Sequence, residues 1–534
     1  MRVDLAFVDG TAFLPPGRPV PGTTVGVSGD TIVAITTDPG ELSADRIVEM
    51  GGRLLLPGFQ DAHVHPIHGG MRRLRCDLTD IGDLDEALDR IRTVASSGVE
   101  WVLGGGWSFA WFDRGCPPAD LLDRLTGEVP AYLVVRDGHS AWANHAALAR
   151  AGIHAGTPDP PDGRIERLPD GSPQGTLHEG AMDLVARVTP APSPALIEEA
   201  LEEGQRVLFS HGLTAWQDAW IAEAEHRAYR SLAEDGRLAA QVRGAIWWDR
   251  ARGIEQLEDI RRMAGEGIGG YRPAAVKLML DGVIENFTAS LLDPYIGDHG
   301  EGPDHRGIDF IDPDSLGPIV AALEEAGLQC HFHAIGDRAV RSALDAVAFA
   351  RAQQPDSGLH HHISHLQLVD PHDVPRFAQL GVSANCQTVW ACNEPAMTEL
   401  TIPFLGTERA RRQYPFAAIA AGGHLAMGSD WPVSTPDVMA QIHVAVTRTP
   451  PGDGSVPPLL PEQRLSLAQA LLGFTLGSAR VNGLESTRGS VAVGKVADLV
   501  VLQRDPFESF VALDEIGVDL TVVGGRVVYE GGQA

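Results

Sequence analysis

Paired cysteines are missing from this sequence. Its five cysteines, Cys76, Cys116, Cys330, Cys386 and Cys392, are scattered and odd in number, and no CxxC occurs. That argues against a disulfide framework or a thiolate zinc site and for a reducing compartment. Long apolar runs are missing too, since no stretch approaches the ~20 residues of a membrane span. The opening MRVDLAFVDG carries acidic residues where a signal peptide needs an unbroken apolar core. Positive charge is scarce: 42 Lys and Arg face 71 Asp and Glu, a net charge of −29. This opposes binding to phosphate backbones and anionic membranes, and no basic patch or nucleic-acid motif offsets it. Repeats and low-complexity segments are absent. The expectation is a cytoplasmic protein that engages neither nucleic acid nor membrane.

What is present is an ordinary globular composition, 44% hydrophobic and 21% charged, over 534 residues, more than one ordinary domain needs. Short β-branched runs bounded by Gly, Pro and Asp fill the start (Val3–Val8, Thr23–Ser28, Thr31–Thr36, Arg46–Met50). The same texture returns in Gly489–Leu502 and Val518–Tyr529. This predicts a small β-sandwich domain assembled from residues 1–58 and 480–534. Between them, apolar strands alternate with helical periodicity, the pattern of a parallel barrel. The fold class is therefore α/β, a (β/α)8 TIM barrel over residues 59–479. Its strands are expected near 54–62, 212–219, 240–247, 274–280, 328–334, 361–368, 381–387 and 424–430. Most spacings approach the ~30 residues of a strand–helix unit. The first interval is far longer and predicts an inserted substructure at about 68–180. A Gly-, Asp- and Pro-rich loop, Glu285–Ile308, follows the fourth strand. Barrel active sites gather on such loops, at the C-terminal ends of the strands.

Asp61-Ala-His63-Val-His65 directly follows the apolar run Leu54-Leu-Leu-Pro-Gly-Phe. Residues two apart on a strand point the same way, so His63 and His65 can share a metal. Chance pairs occur among 20 histidines, and the pair within His360-His361-His362 gets no role. Lys277 lies in Val276-Lys-Leu-Met-Leu-Asp281-Gly282, where a lysine inside an apolar strand is costly unless neutralised or paired. His333, His365 and Asp430 close later strands; His333 to His365 spans one unit and His365 to Asp430 two. Read from the residues alone, His331, His362, His372 and His424 compete with them.

In chain order His63-x-His65, Lys277, His333, His365 and Asp430 match the metal set of the amidohydrolase superfamily, which the chain resembles over nearly its whole length. The strings Val-Lys-x-x-x-Asp-Gly, His-Ala-Ile-Gly-Asp-Arg-Ala and Gly-Ser-Asp-Trp-Pro resemble the branch that includes the N-substituted formamide deformylases. The stretch from Gly489 through Lys495 and Asp498 resembles the superfamily's return to its β domain. The resemblance implies that His63 and His65 bind the more buried metal and His333 and His365 the second. It implies that Lys277, carboxylated by carbon dioxide, bridges them. Asp430 binds metal and handles the proton of the attacking water. The ion is divalent, zinc by preference, one or two per chain, and a metal-bound hydroxide attacks a C–N bond. Ser364 stands before His365 where many relatives carry glutamate, so support around the metal differs there.

On the substrate side, Gly104-Gly-Gly-Trp107 and Asp137-Gly-His139-Ser140-Ala-Trp142-Ala-Asn144 resemble strings of the same branch. His139 is expected to hold the scissile carbonyl, with Trp107, Phe287 and Trp390 lining the pocket beside a small-molecule amide. Glu285-Asn-Phe287-Thr288 supplies further lining. Trp431 and Pro432 fix the strand end at Asp430, and His178 and Glu179 are assigned to structure. A cyclic amidase or heterocycle deaminase is the competing enzyme reading. An inactive barrel with a binding role is the non-enzymatic one. Size and resemblance imply a homodimer.

Overall fold

The computed structural model describes residues 1–79, 81–136, 138–297, 300, 302–355, 357–508 and 512–532. Asp137, at the head of the His139 string, and residues 298, 299 and 301 of the expected Glu285–Ile308 loop lie outside them. Eight parallel strands form the centre: β1 (Phe59–Val64), β2 (Leu213–Ile221), β3 (Gln241–Trp247), β4 (Tyr271–Met279), β5 (Gln329–Ala334), β6 (His362–His365), β7 (Ser383–Cys386) and β8 (His424–Met427). They hydrogen-bond in sequence order from β1 to β8. Strands β1, β5, β6 and β7 are buried along their whole length, as parallel strands covered on both faces must be.

No ladder joins β8 to β1 among the described residues. The ring instead closes just past the strand ends. Asp430 N donates to the His63 carbonyl at 2.7 Å and His65 N to the Trp431 carbonyl at 2.8 Å. The Asp61 carboxylate reinforces the seam, accepting from His63 N at 2.9 Å and Ser429 N at 3.0 Å. Only glycine fits at Gly428, because a Cβ there would lie 2.6 Å from His63 N. The residues that close the barrel thus include His63, His65 and Asp430, three of the candidate metal ligands.

The expected strand 54–62 is two strands. Leu54–Pro57 leaves the barrel and pairs antiparallel with Leu499–Leu502 and parallel with the first strand of the chain, Arg2–Leu14. The Pro57-Gly58 break separates it from β1. Both chain ends therefore build one eight-stranded sheet, with Leu54–Pro57 between N- and C-terminal strands. Of the expected strand Gly489–Leu502, only Leu499–Leu502 is extended. The other barrel strands overlap their expected ranges.

Between β1 and β2 a six-stranded sheet runs from Cys76 to Glu179. Its core holds Trp107, Trp142 and Leu133. Strands Ser140–Ala143 and Pro173–Glu179 pair antiparallel with Ser140 opposite His178. That register carries His139 against Glu179 at the edge facing the barrel mouth, where Glu179 N donates to the His139 carbonyl at 3.1 Å. No helix among the described residues is long and apolar enough to cross a membrane.

Candidate metal centre

The barrel interior is polar where bulky aliphatic layers would be usual. Gln217 on β2 hydrogen-bonds Gln329 on β5 at 3.1 Å and His362 on β6 at 3.0 Å. Asn385 on β7 donates to the Ala62 carbonyl at 2.8 Å. This network leads up to the histidines at the strand ends.

There His63, His365 and Asp430, all buried, each present a ligand atom within 4.8 Å of the others. His63 Nε2 lies 3.1 Å and His65 Nε2 3.3 Å from Asp430 Oδ1, and His365 Nδ1 lies 3.9 Å from Oδ2. The His333 ring centroid is 4.4 Å from that of His365. Lys277 is 3% exposed and stands in register with His331 on the neighbouring strand. It makes no hydrogen bond or ion pair among the described residues. All the residues expected at the metal are thus gathered at one end of the barrel.

Electrostatics suits them to a cation. Burial holds His63, His65, His333 and His365 below the ordinary histidine value, so they are neutral, as metal-ligating imidazoles must be. Burial also opposes ionisation of Asp430. The His63 and His65 contacts and the nearby His365 overcome it, and the carboxyl stays well below its usual range. Burial pulls Lys277 down to about 7, with Asp430 pulling the other way, so the amine is partly uncharged at neutral pH. Four imidazoles, a carboxylate and a buried amine form a donor set of the nitrogen and oxygen type that suits zinc. The buried His65 Nδ1 has no hydrogen-bond partner among the described residues.

The site is also strained. His365 (φ 76°), Asp430 (φ 57°) and Glu179 (φ 49°) are non-glycine residues in the left-handed region, which costs of order 1–3 kcal/mol each and persists only where surroundings enforce it.

His63, the first of the candidate metal histidines, is braced by two neighbours. His63 Nδ1 lies 2.9 Å from Ser364 Oγ and 2.9 Å from His331 Nε2, and those two are 3.0 Å apart. Ser364 and His331 thus share the task of orienting the ring. His331 is thus beside the site rather than in it. Its two-residue spacing from His333 places it on the same face, one step deeper. His331→Leu combined with Ser364→Ala should weaken metal binding ~10–100-fold, the usual effect of removing outer-shell partners. Chelator competition measures this, and unchanged affinity would remove the support role.

Above the centre lies a cavity of about 570 Å³ lined by His139, His333, His365, Asp430, Trp390 and Tyr414 among others, a size that suits a small molecule. His139 is 5.9 Å from His333 between ring centroids and is held through Nδ1 by Glu179 at 3.0 Å. Glu179, assigned to structure from the sequence, therefore orients a cavity residue. Burial opposes its ionisation, but the charge and hydrogen bond of His139 keep its carboxyl below the ordinary value. His178 turns instead to Glu166 and Ser140. Trp107 forms part of the cavity wall, yet its side chain is wholly buried in the insert core and its indole N–H donates to the Leu133 carbonyl at 2.8 Å. Phe287 is not among the residues lining the cavity. Its left-handed backbone (φ 61°) takes its ring against Phe404 and Tyr295, and Glu285 lines the cavity in its place. Trp431 is buried and serves the barrel closure through its carbonyl, while the Pro432 carbonyl accepts from Arg72 at 2.8 Å.

The profile of the amidohydrolase family matches residues 46–529. The chain belongs to that family. It is 29% identical over 500 residues to the protein LONG AFTER FAR-RED 3 of Arabidopsis thaliana, covering 90% of this chain and 83% of the relative. It is 26% identical over 529 residues to the N-substituted formamide deformylase of Arthrobacter pascens, covering 94% of each. Its fold is shared with a crystal structure of an uncharacterized metal-dependent hydrolase from Pyrococcus horikoshii, at a TM-score of 0.74 and 24% identity over 96% of this chain and 99% of that one.

Proposed function

We propose that this amidohydrolase-family chain is a metal-dependent hydrolase that cleaves the C–N bond of a small-molecule amide, N-formyl amides included. The observation that carries this reading is the buried His63, His365 and Asp430 cluster at the floor of a cavity large enough for substrate. His63 and His65 would hold one divalent ion with Asp430. His333 and His365 would hold a second, and Lys277, once carboxylated, would link them. When bound, a divalent ion such as zinc acidifies a water and polarises a carbonyl.

The chain's own residues do the rest. Asp430, kept ionised between the edges of His63 and His65, accepts the water's proton and returns it to the departing nitrogen. His139, braced by Glu179, donates to the carbonyl oxygen as charge builds there. The insert that carries both supplies part of the cavity wall. His139→Ala should lower kcat about 100- to 1,000-fold, the usual loss for one donor to a developing oxyanion, with metal content unchanged. Glu179→Gln should lower kcat with little change in KM. Steady-state kinetics checks both, and a wild-type kcat for His139→Ala would remove it from the chemistry. The reading as a whole is tested by release of formate and amine from N-substituted formamides, with acetamides and benzamides as larger acyl groups. Similarity to the Arthrobacter pascens deformylase supports starting there.

A further inference from the structure

Carboxylates gather on one wall of the main cavity. Glu285 and Glu394 both line it, and neither has an ion-pair partner among the described residues. The Glu285 carboxylate accepts from Thr401 Oγ1 at 2.6 Å, while the Glu394 carboxylate makes no hydrogen bond among the described residues. Tyr414 lines the same wall and is 4% exposed. Its hydroxyl, too, has no partner among the described residues, although a buried phenol normally finds one. Burial first, then Glu285 and Glu394, pushes the Tyr414 phenol above its ordinary value. Burial pushes the Glu394 carboxyl up to about 7; Arg136 opposes this and Glu285 adds to it. Arg136 and the exposed Arg114 also line this cavity, but neither forms an ion pair with these carboxylates among the described residues, and Arg136 donates to the Thr79 carbonyl at 2.6 Å. Nothing in the barrel fold or the metal centre requires two carboxylates and a phenol here, and like charges turned toward one cavity repel unless a cation joins them. Trp390 beside them offers an aromatic face, which also favours a cation.

We propose that the substrate of this hydrolase carries an ammonium group, seated by Glu285, Glu394 and the Tyr414 hydroxyl, at a distance from the amide held over the metal centre. The inference rests on the hydrolase reading and names its substrate class as amides bearing a second, cationic nitrogen. It is tested by binding rather than turnover. Phenethylammonium, 2-phenylethanol and 3-phenylpropionate share size and ring and differ in charge, and calorimetry on the metal-loaded chain ranks them. The expected result is that phenethylammonium binds about ten-fold or more tightly than the alcohol, the scale of one charge-assisted hydrogen bond. Glu285→Gln with Glu394→Gln should bring that ratio to near unity while the alcohol binds as before. Tyr414→Phe, a milder change, should reduce it in part. Equal binding of ammonium and alcohol, tightest binding of the carboxylate, or a preference that survives the double substitution would each overturn the proposal. Amine release from uncharged formamides by the same preparation reports on the hydrolase reading separately, so one can fail while the other stands.

Discussion

Asp430→Asn should lower turnover by about 100- to 10,000-fold, the span that a positioned general acid–base contributes, while leaving much of the metal bound. The replacement is nearly isosteric. It keeps an oxygen toward His63 and His65, which lie 3.1 and 3.3 Å from Oδ1, and the backbone N that closes the barrel on the His63 carbonyl. What it removes is the capacity to take a proton. The acid limb of the pH profile carries the same information. The wild-type carboxyl is held well below its ordinary value, with burial opposing and the histidine contacts prevailing, so it remains a base throughout the neutral range. Activity lost on acidification should therefore follow protonation of the histidines and release of metal. Metal analysis alongside kcat separates the outcomes: full metal with wild-type turnover would show that another group carries the proton.

Lys277→Met should abolish turnover and stabilise the metal-free chain. Methionine fills a similar volume without a polar end, and the lysine it replaces is 3% exposed, drawn down to about 7 by burial. Removing an unpaired buried amine is worth about 1–3 kcal/mol. An amine whose folded-state value lies below its unfolded one destabilises the fold where it must be charged, from acid up to about 7 and above until the unfolded value is passed. The gain on substitution should therefore be largest at low pH and shrink toward alkaline pH. Denaturant melts of the metal-free proteins at several pH values measure it, and metal analysis of the loaded proteins should show fewer ions in Lys277→Met. A variant that is less stable at every pH would contradict the view that this lysine is retained for chemistry. Restoring metal in bicarbonate should also reactivate stripped wild-type protein further than restoring it in carbon dioxide-free buffer.

The barrel was legible because its strands are apolar runs closed by turn residues at nearly regular spacing. That His63, His65, Lys277, His333, His365 and Asp430 would gather at one end of the barrel was legible because each falls at or just past such a strand's end. The boundary at Pro57-Gly58 was not, since Leu54–Pro57 and β1 are equally apolar, and the partner that claims the first, Leu499–Leu502, lies more than four hundred residues away. Phe287 was misplaced because apolar character says nothing of direction. A left-handed backbone sends its ring to Phe404 and leaves Glu285 at the cavity. Glu179 was read as structural because its meaning depends on a register between two strands of the insert, which sets it against His139. His331 carried a usable signal in its spacing from His333, but which end of β5 opens to the cavity is a tertiary fact. Glu394 and Tyr414 follow β7 in irregular chain with no motif, and only the fold brings them to one wall with Glu285.

Turnover should belong to a metal held at His63, His365 and Asp430. Titrating zinc into metal-free chain while recording amine release from an N-substituted formamide tests this most directly. No release is expected before zinc is added, followed by release rising with bound zinc and a plateau when the site fills at one or two ions per chain. Release at full rate from the metal-free chain, or a chain that binds no divalent ion at all, would contradict it.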